Sequence, residues 1–209
     1  MSTASYLTVA RNGSAEIEVK RSRFICHVER VGTEDQARGV IERVRKQRWD
    51  ARHNCSAFVL GPDGDVQRSN DDGEPSGTAG APMLEVLRGR GVSDVVAVVT
   101  RYFGGVLLGA GGLVRAYSES VRVALDDVGV LERRLLQMVD VVADHADSGR
   151  LENDLRARNV TILGVDYAER ATLHMAVPAG ELESLSGVLA ELTGGTASAT
   201  PSGTAWVDG

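Results

Sequence analysis

The apolar run Val95-Val96-Ala97-Val98-Val99, set between two glycine-rich stretches, constrains this chain more than any other segment. A short, largely β-branched run bounded by turn signals fits a strand buried on both faces. Upstream lies Asp71-Asp72-Gly73-Glu74-Pro75-Ser76-Gly77-Thr78-Ala79-Gly80-Ala81-Pro82. Pro75 restricts Glu74 to extended or turn geometry. Gly73, Gly77 and Gly80 permit positive φ and close backbone approach. Pro82 suits the first turn of a helix, to which Met83, Leu84, Val86 and Leu87 give a buried face. Downstream, Gly104-Gly105 ends the strand and Gly109-Ala110-Gly111-Gly112 precedes a second helix. There Leu113, Val114, Tyr117, Val121, Ala124 and Leu125 recur at helical spacing.

Two glycine turns therefore each feed a helix N-terminus, where free N–H groups favour anions. Arg101 stands at the strand's end as a fixed cation, and Asp72 and Glu74 bring acids to the first turn. Two readings stay open. In one, Ser76, Gly77, Gly104, Gly105 and Arg101 hold an anion, with His53 beside them as an acid or base near neutral pH. In the other, the glycines only make turns and Arg101 neutralises a carboxylate. The expectation is a vacant anion site, because glycines on both sides leave backbone donors open.

The remaining chain reads in order. Residues 5–9, 15–19 and 24–29 alternate as strands. Thr33 opens a helix as the start of a capping box with Gln36, striped by Ala37, Val40, Ile41 and Val44. Arg38, Arg45 and Arg48 face outward from it, as a solvated face or as a phosphate-contacting one. His53 to Leu60 is a strand with a polar tip. Gly61-Pro62-Asp63-Gly64 turns the chain into an edge strand at 65–69. After Asp126 the pattern restarts: strand 135–142, a helix through Leu151 and Leu155, strands 160–166 and 172–177, a helix at 179–192 and a strand near 204–207. This βαββαβ order fits a ferredoxin-like module. The expected domains are 1–128 and 134–209, parted where Glu132-Arg133-Arg134 breaks the apolar pattern; 194–203 reads as a loose hairpin.

The net charge of −6 is uneven. Residues 1–130 hold 17 basic and 17 acidic side chains, and residues 131–209 hold 6 and 12. An acidic chain argues against indiscriminate nucleic-acid binding, but between Lys20 and Arg52 ten basic residues face five acidic ones. Lys20, Arg21, Arg23, Arg45 and Arg48 are the candidate nucleic-acid contacts. No apolar run reaches membrane-spanning length, and the first ten residues lack a signal-peptide pattern, so a cytoplasmic protein is expected. Cys26 and Cys55 are expected to be reduced and buried. Adjacent Cys26 and His27 would point to opposite faces of a strand, so no metal is expected, and nothing calls for a cofactor.

Glu74-Pro75-Ser76-Gly77-Thr78-Ala79-Gly80, then Arg101-Tyr102-Phe103-Gly104-Gly105 and Leu108-Gly109, resemble the signature of the IMPACT family with its bacterial YigZ-like members. Met83, Leu84, Leu87, Val92, Val98 and Val99 fit the same pattern, and so does the His53-Asn54-Cys55 tip. The resemblance covers residues 14–126 well. It implies an α+β protein of two domains. The first would be a two-layer α/β sandwich like the second domain of ribosomal protein S-five. The second would be ferredoxin-like, similar to the C-terminal domain of elongation factor G. A translation-linked regulator or an RNA- or ribosome-associated binding protein is what this implies by analogy. The alternative is an enzyme acting on a phosphate- or carboxylate-bearing small molecule around His53, Asp72, Glu74, Ser76, Arg101 and Gly104-Gly105. No nucleophile–base–oxyanion set is visible, which places the binding reading first. A homo-oligomer contacting partners through its acidic C-terminal part is the third reading.

Overall fold

A computed structural model describes residues 3–209. The chain divides into two compact units, one running to Arg133 and the other from Arg134 to Gly209. The first contains β1 (Ser5–Val9), β2 (Gly13–Val19), β3 (Ser22–Arg30), α1 (Glu34–Gln47), β4 (His53–Leu60), β5 (Val66–Asn70), α2 (Gly80–Gly89), β6 (Val95–Tyr102) and α3 (Ala110–Val128). Its sheet has the order β2-β3-β6-β4-β5 with every neighbour antiparallel. The valine run lies in β6 at its centre. All of Val95–Arg101 is buried, as a strand covered on both faces must be.

The two faces have different covers. Phe24, Cys26, Val28, Cys55, Ala57, Val95, Ala97 and Val99 pack under α2 and α3 with Met83, Leu87, Tyr117 and Val121. On the opposite face Phe58, Leu60, Val96 and Val98 pack with Ala37, Val40 and Val44 of α1. Thus α1 adds a layer to the expected two-layer sandwich. Thr33 caps α1 as expected, its hydroxyl accepting from the Gln36 N–H at 3.2 Å. The Gln36 side chain accepts from the Gly32 N–H at 2.7 Å, one residue earlier than a capping box requires.

Register decides what meets at one end of this sheet. Arg23 pairs with Tyr102, Phe24 with Arg101, and His53 with Arg101 across the other edge of β6. The β2–β3 hairpin turns at the same end through Lys20 and Arg21 alone, because Val19 pairs with Ser22. Both turn residues have positive φ, 46° and 66°, as a two-residue turn of this hand demands. Arginine and lysine are poor choices there on conformational grounds, since only glycine and asparagine adopt that region readily.

The second unit has α4 (His145–Ala157), β8 (Thr161–Tyr167), β9 (Ala171–Val177), α5 (Leu182–Thr193) and β10 (Ala199–Asp208), after the long β7 (Val130–Ala143) that carries the chain into it. β9 lies between β7 and β8, and β10 pairs with β7, which is the ferredoxin-like arrangement. Val139, Val141, Leu173 and Met175 of the sheet pack on Leu151 and Leu155 of α4 and Leu185 and Leu189 of α5. Glu132-Arg133-Arg134, where the parting of the domains is expected, lies within β7. One expectation changes here: β10 begins at Ala199, inside the stretch read as a loose hairpin. No helix among the described residues is long and apolar enough to cross a membrane.

Candidate nucleic-acid interface

The β4 and β6 ends carry a buried polar chain. Arg101 Nη1 donates to Glu74 Oε1 at 2.7 Å, with the two side chains 8% and 3% exposed. The Tyr117 hydroxyl donates to the same carboxylate oxygen at 2.8 Å. Cys55 Sγ lies 3.3 Å from that hydroxyl and 2.9 Å from the Asp71 carbonyl oxygen. Burial pushes the Cys55 thiol up to about 12, and burial likewise raises the Tyr117 phenol. Both stay protonated at neutral pH, so this cluster holds no activated nucleophile. The Arg101 guanidinium lies 5.6 Å from the Phe24 ring centre and 5.6 Å from that of Phe103. Its Nε is buried without a hydrogen-bond partner among the described residues.

This geometry corrects the vacant anion site. Arg101 is committed to Glu74, the pairing named above as the plain alternative. The first glycine turn is filled as well. The Asp71 carboxylate accepts from the N–H groups of Gly77 at 2.8 Å, Ala79 at 3.0 Å and Gly80 at 2.8 Å, and so occupies the N-terminus of α2. Burial pushes the Asp71 carboxyl up, but the N–H groups of Gly77, Gly80 and Ala79 outweigh it and hold it below the usual range. Gly80 must be glycine, since a Cβ there would lie 2.7 Å from the Asn70 backbone nitrogen. Ser76 is exposed on this turn.

Asp72 is also engaged. Its carboxylate accepts from the Asn54 N–H at 2.7 Å and from Arg45 Nη2 at 2.7 Å. Arg45 bonds Glu42 too, so it ties α1 to the first turn and is not a spare cation. His53 Nδ1 is 2.9 Å from the Asp72 carbonyl oxygen, which brings His53, Asp72, Glu74 and Arg101 into one neighbourhood. Gly104 and Gly105, the latter at φ 82°, follow β6 on the side of the β2–β3 hairpin. The Gly104 N–H donates to Ser22 Oγ at 3.1 Å, and a Cβ on Gly104 would lie 2.0 Å from the Arg21 carbonyl carbon. That close approach fastens the loop after β6 to the β2–β3 hairpin.

What remains open is the end of the sheet itself. A cleft of about 620 Å³ is lined by Asp50, Arg52, His53, Arg101, Tyr102, Phe103 and Leu107. Lys20, Arg21, Arg48 and Arg52 stand at the hairpin, at the end of α1 and before β4, and make no hydrogen-bonded ion pair among the described residues. Arg48 is near enough to Glu16 to add to the lowering of that carboxyl, which its hydrogen bond to Arg23 dominates. Arg23 is held by Glu16 in a two-pronged pair at 2.6 and 2.9 Å. Asp50 accepts from the Tyr102 hydroxyl at 2.9 Å. Trp49, Phe103 and Leu107 are 82%, 55% and 83% exposed. Sequence reasoning missed Trp49, Arg52 and Leu107, and saw Phe103 only as part of a motif. A tryptophan inside the polar run Gln47-Arg48-Trp49-Asp50 was the available signal.

The model of the Impact N-terminal domain matches residues 20–125, and that of a domain of unknown function, DUF1949, matches residues 141–196. The chain is 48% identical to the IMPACT family member YvyE of Bacillus subtilis, over 91% of this chain and 88% of that protein. It is 37% identical to the IMPACT family member YigZ of Escherichia coli, over 92% and 95%. A crystal structure described only as that of a hypothetical protein matches with a TM-score of 0.64 at 36% identity, over 95% of this chain and 97% of the other.

Proposed function

Since the chain belongs to the IMPACT family, we propose that it is a cytosolic, translation-linked binding protein whose N-terminal unit contacts RNA at the end of its sheet. The observation that carries the reading is a cleft at that end whose wall holds Arg52 and the exposed Phe103, with Arg48 two residues before its wall residue Asp50 and with Lys20 and Arg21 on the hairpin that Gly104 touches. Cations free of internal partners are what phosphate contacts require, since an ion-paired arginine has already surrendered its counter-charge. The acidic remainder of the chain keeps such binding local and modest. RNA as the nucleic acid follows from the translation link that the family resemblance implies.

The enzyme reading retains one observation, the placing of His53 and Arg101 in the wall of the same cleft. Against it, Arg101 is neutralised by Glu74, and the Cys55 and Tyr117 groups behind it are protonated.

The test is fluorescence anisotropy of a labelled hairpin RNA with single-stranded tails, titrated with the full chain over a range of KCl. Replacing Arg21 and Arg52 by Gln removes two phosphate contacts, which should flatten the slope of log K against log salt by about 1.4 and weaken binding. Unchanged affinity and slope would remove this surface from the interface.

A further inference from the structure

We propose that the RNA bound at this surface is single-stranded, with unpaired bases stacked on Phe103 and Trp49. The inference rests on the RNA-binding reading and adds the class of RNA.

Phe103 is the better anchored of the two. The Arg101 guanidinium lies over its ring at 5.6 Å and over the Phe24 ring at 5.6 Å. That guanidinium cannot wander, because Glu74 holds it in a buried pair. Backbone contacts fix the residue from the other direction. Tyr102 is paired with Arg23 in the sheet, and Gly104 is pressed on the Arg21 backbone. A ring backed on one face by a fixed cation and still 55% exposed is a platform already in place, so a stacking partner meets little further ordering cost. On this account Arg101 is a positioning residue for Phe103 and not itself a phosphate ligand.

The neighbourhood agrees. Single exposed apolar side chains need no explanation, but Trp49, Phe103 and Leu107 are exposed at one end of one sheet. Trp49 directly precedes Asp50, a residue of the cleft wall that is bonded to Tyr102. Cations lie beside these side chains: Arg52 lines the cleft wall with Phe103, Arg48 directly precedes Trp49, and the Arg21 backbone lies against Gly104, the residue after Phe103. Aromatic platforms interleaved with cations suit a strand whose bases stack while its phosphates are neutralised. Duplex RNA offers no base faces, and its deep major groove excludes side chains. A surface built for duplex would need cations and hydroxyl-bonding groups, with no reason to keep three apolar side chains in water.

The experiment compares oligouridine, a blunt RNA duplex of equal strand length and oligodeoxythymidine, each titrated with the full chain. Oligouridine should bind tightest. Phe103→Ala should weaken oligouridine binding about tenfold while leaving the salt slope unchanged, because stacking releases no counterions. Phe103→Trp should retain binding, and Trp49→Ala, which removes an exposed side chain, should weaken it without altering the circular dichroism spectrum. If the duplex binds as tightly as oligouridine and neither aromatic substitution matters while salt-dependent binding persists, the stacking inference falls and the RNA reading stands. A preference for oligodeoxythymidine overturns the assignment to RNA. Failure to bind any of the three overturns both readings.

Discussion

Replacing Glu74 by Gln isolates the contribution of the buried pair on which the site is built. In the native chain the carboxylate accepts from Arg101 at 2.7 Å and from Tyr117 at 2.8 Å, 3% exposed. Glutamine keeps the volume and one acceptor but removes the charge. The guanidinium, 8% exposed, is then left uncompensated in a low-dielectric site, which costs about 3–5 kcal/mol. With a urea m-value of about 2 kcal/mol/M, the midpoint of the N-terminal unit should fall by about 1.5–2.5 M. Arg101→Met should cost a similar amount, since it strands the carboxylate instead. The double variant Glu74→Gln/Arg101→Met should be more stable than the sum of the two predicts, because a neutral pair needs no partner. Arg88 and Glu85 provide the control. They also bond at 2.8 Å, but with side chains 53% and 68% exposed, so Glu85→Gln should cost no more than about 0.5 kcal/mol. Urea titrations followed by far-ultraviolet circular dichroism measure all four. A midpoint shift for Glu74→Gln no larger than that for Glu85→Gln would refute the reasoning, as would strict additivity in the double variant.

Three further outcomes are expected. Asp71→Ala frees the N–H groups of Gly77, Ala79 and Gly80; it should cost about 1–2 kcal/mol and make the melting temperature newly responsive to phosphate, and an equal phosphate response in the unaltered chain would show that the turn is not filled by Asp71. His174 lies between Asp140 at 2.8 Å and Asp166 at 3.1 Å, whose hydrogen bonds raise its pKa above the usual 6.5. Its stabilisation is therefore complete below about 6.5 and lost as pH rises through the higher folded value, so the melting-temperature gap between the chain and His174→Gln should narrow from pH 6 to pH 9; a gap that widens would contradict the pairing. A fragment of residues 1–133 should unfold cooperatively on its own, because Val130 to Arg133 belong to the first compact unit; a molten fragment by near-ultraviolet circular dichroism would show that it needs the second unit.

The fold was legible in the sequence because its signals are local and periodic. A valine run between glycine clusters could be little but a central strand, and the leucine spacing after Asp126 fixed the second unit's βαββαβ order. Less was legible where tertiary pairing overrides local pattern. Glu132-Arg133-Arg134 interrupts the apolar pattern, and β7 runs straight through the three charges. Residues 199–203 are small and polar, and only pairing with β7 makes them a strand.

The site was harder to read because its decisive facts are about which donor meets which acceptor. The sequence shows glycine turns, acids and an arginine close together, but not that Asp71 fills the first turn while Asp72 turns to Asn54 and Arg45. The two acids are adjacent in the chain, and a difference in backbone direction alone gives them separate tasks; Asp72 itself has a positive φ of 41°. Arg101 illustrates the same point. As the lone cation of the motif it looks like a ligand, but burial beside Glu74 converts it into an internal prop. Its charge then acts on Phe103 through the ring face, and the exposed chemistry passes from the arginine to the aromatic beside it. Lys20, Arg21, Arg48 and Arg52 stand on the turns, and none of them is held in a hydrogen-bonded ion pair among the described residues. In this chain the buried half of the motif, Arg101 with Glu74 and Tyr117, holds the end of the sheet in place, and the exposed Phe103 is the part of it that faces solvent.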